Sequence, residues 1–115
     1  MYSVGTDIVK IDRIQKISTD NNFLSKIFTE KEIEYCNSHS KPYIHLSGKY
    51  AGKEAVKKAL LSESISDNIS LRNIEILNNS DKSPYVIIHG INDLKCIISI
   101  SHDGEYAIAF VLIEK

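Results

Sequence analysis

Between Gly48 and Ala59 the chain sets glycine and alanine along one side of a helical pattern, which demands that something pack unusually close against it. At 3.6 residues per turn Gly48, Ala51, Gly52, Ala55 and Ala59 line up, and their missing bulk lets another backbone approach. Lys49, Lys53 and Lys57 share the opposite side. Glu54 falls between the two sides, in line with Tyr50 and one turn before Lys58. By themselves Glu54 and Lys58 read as a solvated i, i+4 ion pair worth about 0.2–0.5 kcal/mol. An acid among lysines on such a helix also suits a metal ion and phosphates.

The rest of the chain organises around this helix. A β-rich opening, Ser3 to Ile11, predicts a core strand, followed by a short helix through Ile14 and Ile17. Thr29-Glu30-Lys31-Glu32 is a capping box that starts a further helix. Ser40 to Pro42 opens the long helix, with proline suited to the first turn, and it runs to about Leu61. After a polar loop from Ser62 to Ser70, the alternation of Leu71 to Leu77 predicts a half-buried strand, and Tyr85 to His89 predicts another. Cys96 to Ser101 and Tyr106 to Ile113 pair across a turn containing Gly104. Helices early and antiparallel strands late predict an α+β fold: a single small domain over residues 1–115, with an N-terminal strand, a long central helix and an antiparallel sheet.

Bulk properties narrow the function. At 115 residues with 43% hydrophobic content the chain has enough for one core, and domains of this size often complete their burial by oligomerising. A net charge of -1 excludes the overall basic balance of a general nucleic-acid binder, so electrostatic recognition must be local. Residues 1–9 lack the pattern of a signal peptide, and the longest apolar run, Ala107 to Ile113, is too short to span a bilayer, so a soluble cytoplasmic protein is expected. Cys36 and Cys96 lack metal-site spacing and read as buried thiols. A zinc site from Cys36, His39 and His45 would lack a fourth ligand.

Several polar residues stand out against this background. Asp7 lies between Val4 and Ile8-Val9, where an ionised carboxylate is costly unless it is paired, caps a helix or meets a cation. A hard cation such as Mg2+ takes one or two protein carboxylates and completes its shell with water and phosphate oxygens, and Asp7 with Glu54 would supply that number. His102 ends the Ser99-Ile100-Ser101 strand, where it is either simply exposed or placed to contact a phosphate, whereas His39, His45 and His89 offer no comparable setting. Lys10, Arg13 and Lys16 recur at i, i+3, i+6 and form a stripe on the first helix, either solvated or a docking surface for an acidic partner.

Taken together these segments resemble the holo-acyl-carrier-protein synthase family, the short class of 4'-phosphopantetheinyl transferases. Gly5-Thr6-Asp7-Ile8-Val9 through Arg13-Ile14 is similar to its G-x-D-I-V-x-x-x-R-I, and Phe28-Thr29-Glu30-Lys31-Glu32 to its F/L-T-x-x-E. Lys49-Tyr50-Ala51-Gly52-Lys53-Glu54-Ala55 with Lys58-Ala59 resembles F-A-A-K-E-A-x-x-K-A, and Ser99-Ile100-Ser101-His102 with Tyr106-Ala107 follows in the family's order. The resemblance spans nearly the whole chain. It implies transfer of 4'-phosphopantetheine from coenzyme A to a serine of an apo acyl carrier protein, releasing adenosine 3',5'-bisphosphate.

It also implies roles: Asp7 and Glu54 on Mg2+ with Lys58 beside them in the catalytic set, Lys49, Lys58 and His102 on coenzyme A phosphates, and Arg13, in the Lys10, Arg13 and Lys16 stripe, toward the carrier. A homotrimer with a site at each subunit junction is the implied assembly, in fatty-acid and lipid biosynthesis. The chain departs from the pattern in two turns. Leu60-Leu61-Ser62-Glu63-Ser64 replaces a Gly-Thr-Gly turn, and Asp81-Lys82-Ser83-Pro84 lacks the glycine that usually precedes Lys-Pro. The alternative readings are a non-catalytic nucleotide-binding domain or a trimerising domain of the same fold. A Mg2+ nuclease also fits two carboxylates and lysines, but no basic groove for nucleic acid is evident.

Overall fold

The computed structural model describes residues 1–66 and 68–115. Their order is β1 (Tyr2–Lys10), α1 (Ile11–Ile17), α2 (Asn21–Ile27), α3 (Glu30–Asn37), α4 (Pro42–Ser62), a 3-10 turn (Leu71–Asn73), β2 (Ile74–Asn78), β3 (Pro84–Ile88), β4 (Lys95–Asp103) and β5 (Tyr106–Glu114). The strands form two antiparallel sheets, β1-β5-β4 and β2-β3, rather than one. This is the expected α+β class.

Helix α4 organises the molecule. The inner face of the three-stranded sheet, with Val9, Ala107, Ala109, Val111 and Ile113, is buried against it together with Ala51, Ala55, Val56 and Ala59. The small-residue stripe does what its pattern demands. A Cβ built on Gly5 of β1 would stand 1.9 Å from the Ala55 carbonyl oxygen and 3.0 Å from the Ala59 nitrogen, so strand and helix backbones touch. At Gly52 the space is filled instead by the Ile76 and Ile98 side chains. Gly5→Ala has no flexible neighbour to displace and is expected to cost the upper end of about 1–3 kcal/mol, read as a lowered urea midpoint with an unchanged slope.

Three expectations need correction. β1 is an edge strand, since β5 lies between it and β4; its burial comes from one face on α4. The segment from Leu71 starts as a 3-10 turn, and Ile74, Glu75 and Ile76 are all buried, so the half-buried alternation fails. Glu75 tolerates this because Thr29 Oγ1 donates to it at 2.6 Å and its other oxygen lies 3.0 Å from His89 Nε2. Helix α2 has no counterpart in the sequence pattern. It is a short helix with no buried residue, started by the Asp20 side chain, which accepts from the Asn22 and Phe23 nitrogens.

The capping box at Thr29 is present as read, with Thr29 N donating to Glu32 Oε1 at 2.8 Å. Glu32 does more than cap. It is fully buried, its second oxygen accepts from Ile76 N at 2.8 Å, and Lys53 Nζ lies 2.8 Å from Oε1. One carboxylate thus joins α3, β2 and α4.

The other face of the three-stranded sheet is bare. Tyr2, Val4, Ile8, Ile97, Ile108 and Phe110 project from β1, β4 and β5 into solvent, with 46–61% of their surface exposed. Only Cys36 is the buried thiol expected; Cys96 is partly exposed. Desolvation pushes Cys36 up to about 12 and Cys96 up to about 11, far from reactive thiolates.

Candidate active site

The close crossing of β1 over α4 decides where Asp7 lies. Two residues past Gly5, its largely buried side chain meets Lys58, whose Nζ is 3.0 Å from Asp7 Oδ1 and donates to the Thr6 carbonyl at 3.1 Å. The costly strand aspartate is therefore paired, and its partner comes from the lysine one turn beyond Glu54. Glu54 is half-buried on the same helix face. Tyr50, one turn earlier, senses both acids: burial pushes its phenol up first, and the charges of Glu54 and Asp7 push it further, against the opposing charge of Arg13. Arg13 Nη2 donates to Tyr50 Oη at 3.3 Å. The Asp7–Lys58 and Arg13–Tyr50 pairs thus meet at the junction of β1, α1 and α4, and Glu54 lies on the same face of α4, one turn from both Tyr50 and Lys58.

Two of the three lysines on one side of α4, Lys49 and Lys53, point into the protein rather than toward a phosphate. Lys53 is fully buried, and besides Glu32 its ammonium donates to the Leu71 and Ile74 carbonyls at 3.0 and 2.5 Å. Lys49 is buried too, donating to the Ile76 carbonyl and to Asn78 Oδ1, both at 2.6 Å. Burial lowers the proton affinity of both lysines, and Glu32 opposes that shift. The reason is tertiary: β2 and α3 cover this side of the helix, and backbone carbonyls there take up the ammonium groups.

His102 does not join the Asp7 cluster. It lines a separate cleft of about 330 Å³ with Tyr35, His39, His45, Lys49 and Lys82. The His39 and His45 rings stack with centroids 3.8 Å apart, and Tyr35 lies 4.8 Å from His39. Burial holds His45 below the usual histidine value, and His39, His102, Lys49 and Lys82 all push in the same direction. Every one of these neighbours is a base, so the cleft suits an anion. Neither His39 nor His45 carries a local sequence signal for a site, yet His45 sits one turn before Lys49, a spacing that puts both on one helix face.

Among the described residues no group of three or more histidine, cysteine, aspartate and glutamate side chains is arranged to hold a metal ion. The zinc reading of Cys36, His39 and His45 therefore gains no support. Lys10 is the last residue of β1 rather than part of α1, and Lys16 lies 3.8 Å from Asp12 with both largely exposed, so Arg13, turned toward Tyr50, is the docking candidate that reaches the carboxylate cluster.

A small antiparallel sheet folded on one long helix, with two carboxylates at one end and a basic cleft at the other, defines a class of compact α+β proteins suited to handling phosphates. Residues 3–111 match the family model of the 4'-phosphopantetheinyl transferase superfamily. The chain belongs to that superfamily and, within it, to the holo-[acyl-carrier-protein] synthase family. It is 51% identical over 112 residues to the holo-[acyl-carrier-protein] synthase of Thermodesulfovibrio yellowstonii, covering 96% of each chain. With the Clostridium perfringens holo-[acyl-carrier-protein] synthase it shares 40% identity over 127 residues, 99% of this chain and 94% of the relative.

Solved structures agree on the fold. A Chronobacterium ammoniagenes ACPS–CoA complex superposes with a TM-score of 0.84 at 28% identity, covering 98% of this chain and 96% of that one. The Helicobacter pylori holo-[acyl-carrier-protein] synthase in complex with coenzyme A does so with a TM-score of 0.78 at 30% identity, covering 96% and 99%.

Proposed function

We propose that this protein, acting as one domain over residues 1–115, transfers 4'-phosphopantetheine from coenzyme A to a serine of an apo acyl carrier protein, with Mg2+ held by Asp7 and Glu54. The observation that carries this reading is the Asp7–Glu54–Lys58 cluster on the β1–α4 crossing, in a chain of this family. The donor set fits the ion. Two carboxylates of hard oxygen are what a Mg2+ site shared with phosphate oxygens and water requires, and Asp7 and Glu54 would supply them, with Lys58 already 3.0 Å from Asp7 as a further positive charge. When bound, the ion supplies charge neutralisation on the pyrophosphate and polarises the phosphorus bearing pantetheine.

The protein's own residues do the rest by position and charge. Lys58 offsets negative charge beside Asp7, while His102 and the basic cleft around Lys49 hold phosphates of coenzyme A. Lys49 is already spent on two acceptors, so it contributes mainly as a fixed buried positive charge. Lys10, Arg13 and Lys16 orient the acidic carrier. Its serine oxygen attacks the pantetheine-bearing phosphorus, the bond to the bridging pyrophosphate oxygen breaks, and adenosine 3',5'-bisphosphate leaves as the serine proton is lost.

The carboxylate cluster and the basic cleft are separate features of one chain, and the bare apolar sheet face offers a surface for further copies. We read the assembly as a homotrimer in which the Asp7 cluster of one subunit faces the His102 cleft of the next. The test is to follow adenosine 3',5'-bisphosphate by chromatography with coenzyme A, Mg2+ and apo carrier, using Asp7→Ala and His102→Ala chains alone and refolded together. Release by the native protein, little by either variant, and recovery on mixing are expected, since mixed junctions join an intact cluster to an intact cleft. Absence of release by the folded native protein would overturn the transferase reading; absence of recovery would overturn the shared junction. No helix of the described residues is long and apolar enough to cross a membrane, and a cytoplasmic role in fatty-acid and lipid biosynthesis follows from the proposed carrier.

A further inference from the structure

The turn from β2 to β3 contains a lysine in a conformation that glycine normally serves. Lys82 has φ of +73°, one of two non-glycine residues with positive φ among the described residues. A side chain in this region crowds the backbone, and such strain persists only where the surroundings hold it. Here they do. Lys82 N donates to the Asn79 carbonyl at 2.8 Å, Asn78 Nδ2 donates to the Lys82 carbonyl at 2.9 Å, and Asp81 Oδ1 accepts from both N and Oγ of Ser83.

This scaffold is tied to the basic cleft. The Asn78 amide that fixes Lys82 accepts, on its oxygen, the buried Lys49 ammonium at 2.6 Å. Lys82 is exposed, lines the cleft with His45, Lys49 and His102, and its charge is felt at His45. The turn thus keeps a left-handed residue and gives it a cationic side chain.

We propose that Lys82, locked in the left-handed conformation by Asn78 and Asn79, is a binding residue for a phosphate group of coenzyme A, its backbone strain retained because it brings an ammonium to the cleft. The proposal deepens the transferase reading and rests on it for the identity of the ligand. Lys49 supplies the fixed buried charge, Lys82 an exposed one that reaches the ligand, and Asn78 sets the spacing between them.

The proposal assigns opposite effects to one substitution. Lys82→Gly removes both strain and charge, so the melting temperature is expected to hold or rise while affinity for coenzyme A falls about tenfold to a hundredfold, as for loss of one charge-assisted hydrogen bond. Lys82→Ala keeps the strained backbone and loses only the charge, and should weaken coenzyme A equally without any gain in stability. Both are measured by titration calorimetry of the full-length protein with coenzyme A at fixed salt, beside thermal melts, and by KM for coenzyme A against KM for the carrier, where only the former should rise. Unchanged coenzyme A affinity in both variants would overturn the proposal, as would an equal rise in the two KM values. If the native protein binds coenzyme A but transfers nothing, the transferase reading fails while the calorimetry still decides the role of Lys82. If it binds no coenzyme A at all, both fail.

Discussion

Replacing Lys53 by alanine is expected to destabilise the protein by about 3–5 kcal/mol, the usual cost of stranding one partner of a buried ion pair. Glu32 would keep its burial and its bonds from the Thr29 and Ile76 nitrogens but lose the Lys53 ammonium, while the Leu71 and Ile74 carbonyls would lose their donor. For a domain whose whole stability is of order 5–15 kcal/mol, this is a large share. Urea unfolding should show a strongly lowered midpoint with an unchanged slope. Lys53→Met combined with Glu32→Gln should recover at least half of the loss, because the uncompensated charge is gone. Two losses that simply add would contradict the pairing.

Glu54→Gln is the second large effect, and it falls on activity. The side chain is half-buried and makes no ion pair among the described residues, so stability should move by less than about 0.5 kcal/mol, the scale of an i, i+4 pair. Transfer should fall about 10²–10³-fold, the loss typical of removing one preorganised charge-stabilising group, with the requirement for Mg2+ shifted to higher concentration. A variant that keeps full activity but melts early would make Glu54 a structural residue and remove half of the proposed metal site.

These two neighbours on one helix illustrate what can be read from a linear sequence. Glu54 lies in line with Tyr50 and Lys58 by periodicity alone, and the glycine and alanine stripe announces a close backbone crossing that Gly5 completes. Since that crossing carries Asp7 to Lys58, much of this site is legible in the sequence pattern. Lys53 is not, because periodicity places a residue on a helix side but does not say what covers that side. Its burial depends on carbonyls of the Leu71–Ile74 turn and on a capping glutamate in α3, contacts far apart in sequence.

The basic cleft was half legible for the same reason. His102 could be placed at a strand end, but His39, His45, Lys49 and Lys82 come from α4 and from two connecting segments that meet only in the fold. Local signals behaved according to their strength. The reciprocal capping box at Thr29 was readable, whereas α2, capped by Asp20 alone and burying nothing, left no pattern to find.

The measurement that bears most directly on the whole account is the intact mass of an apo acyl carrier protein after incubation with this protein, coenzyme A and Mg2+. The account predicts that the carrier gains one phosphopantetheine, attached to serine, and that the gain disappears with chelator or with the Asp7→Ala chain. An unmodified carrier, in the presence of folded protein with coenzyme A bound, would contradict it and leave a nucleotide-binding domain without transfer activity.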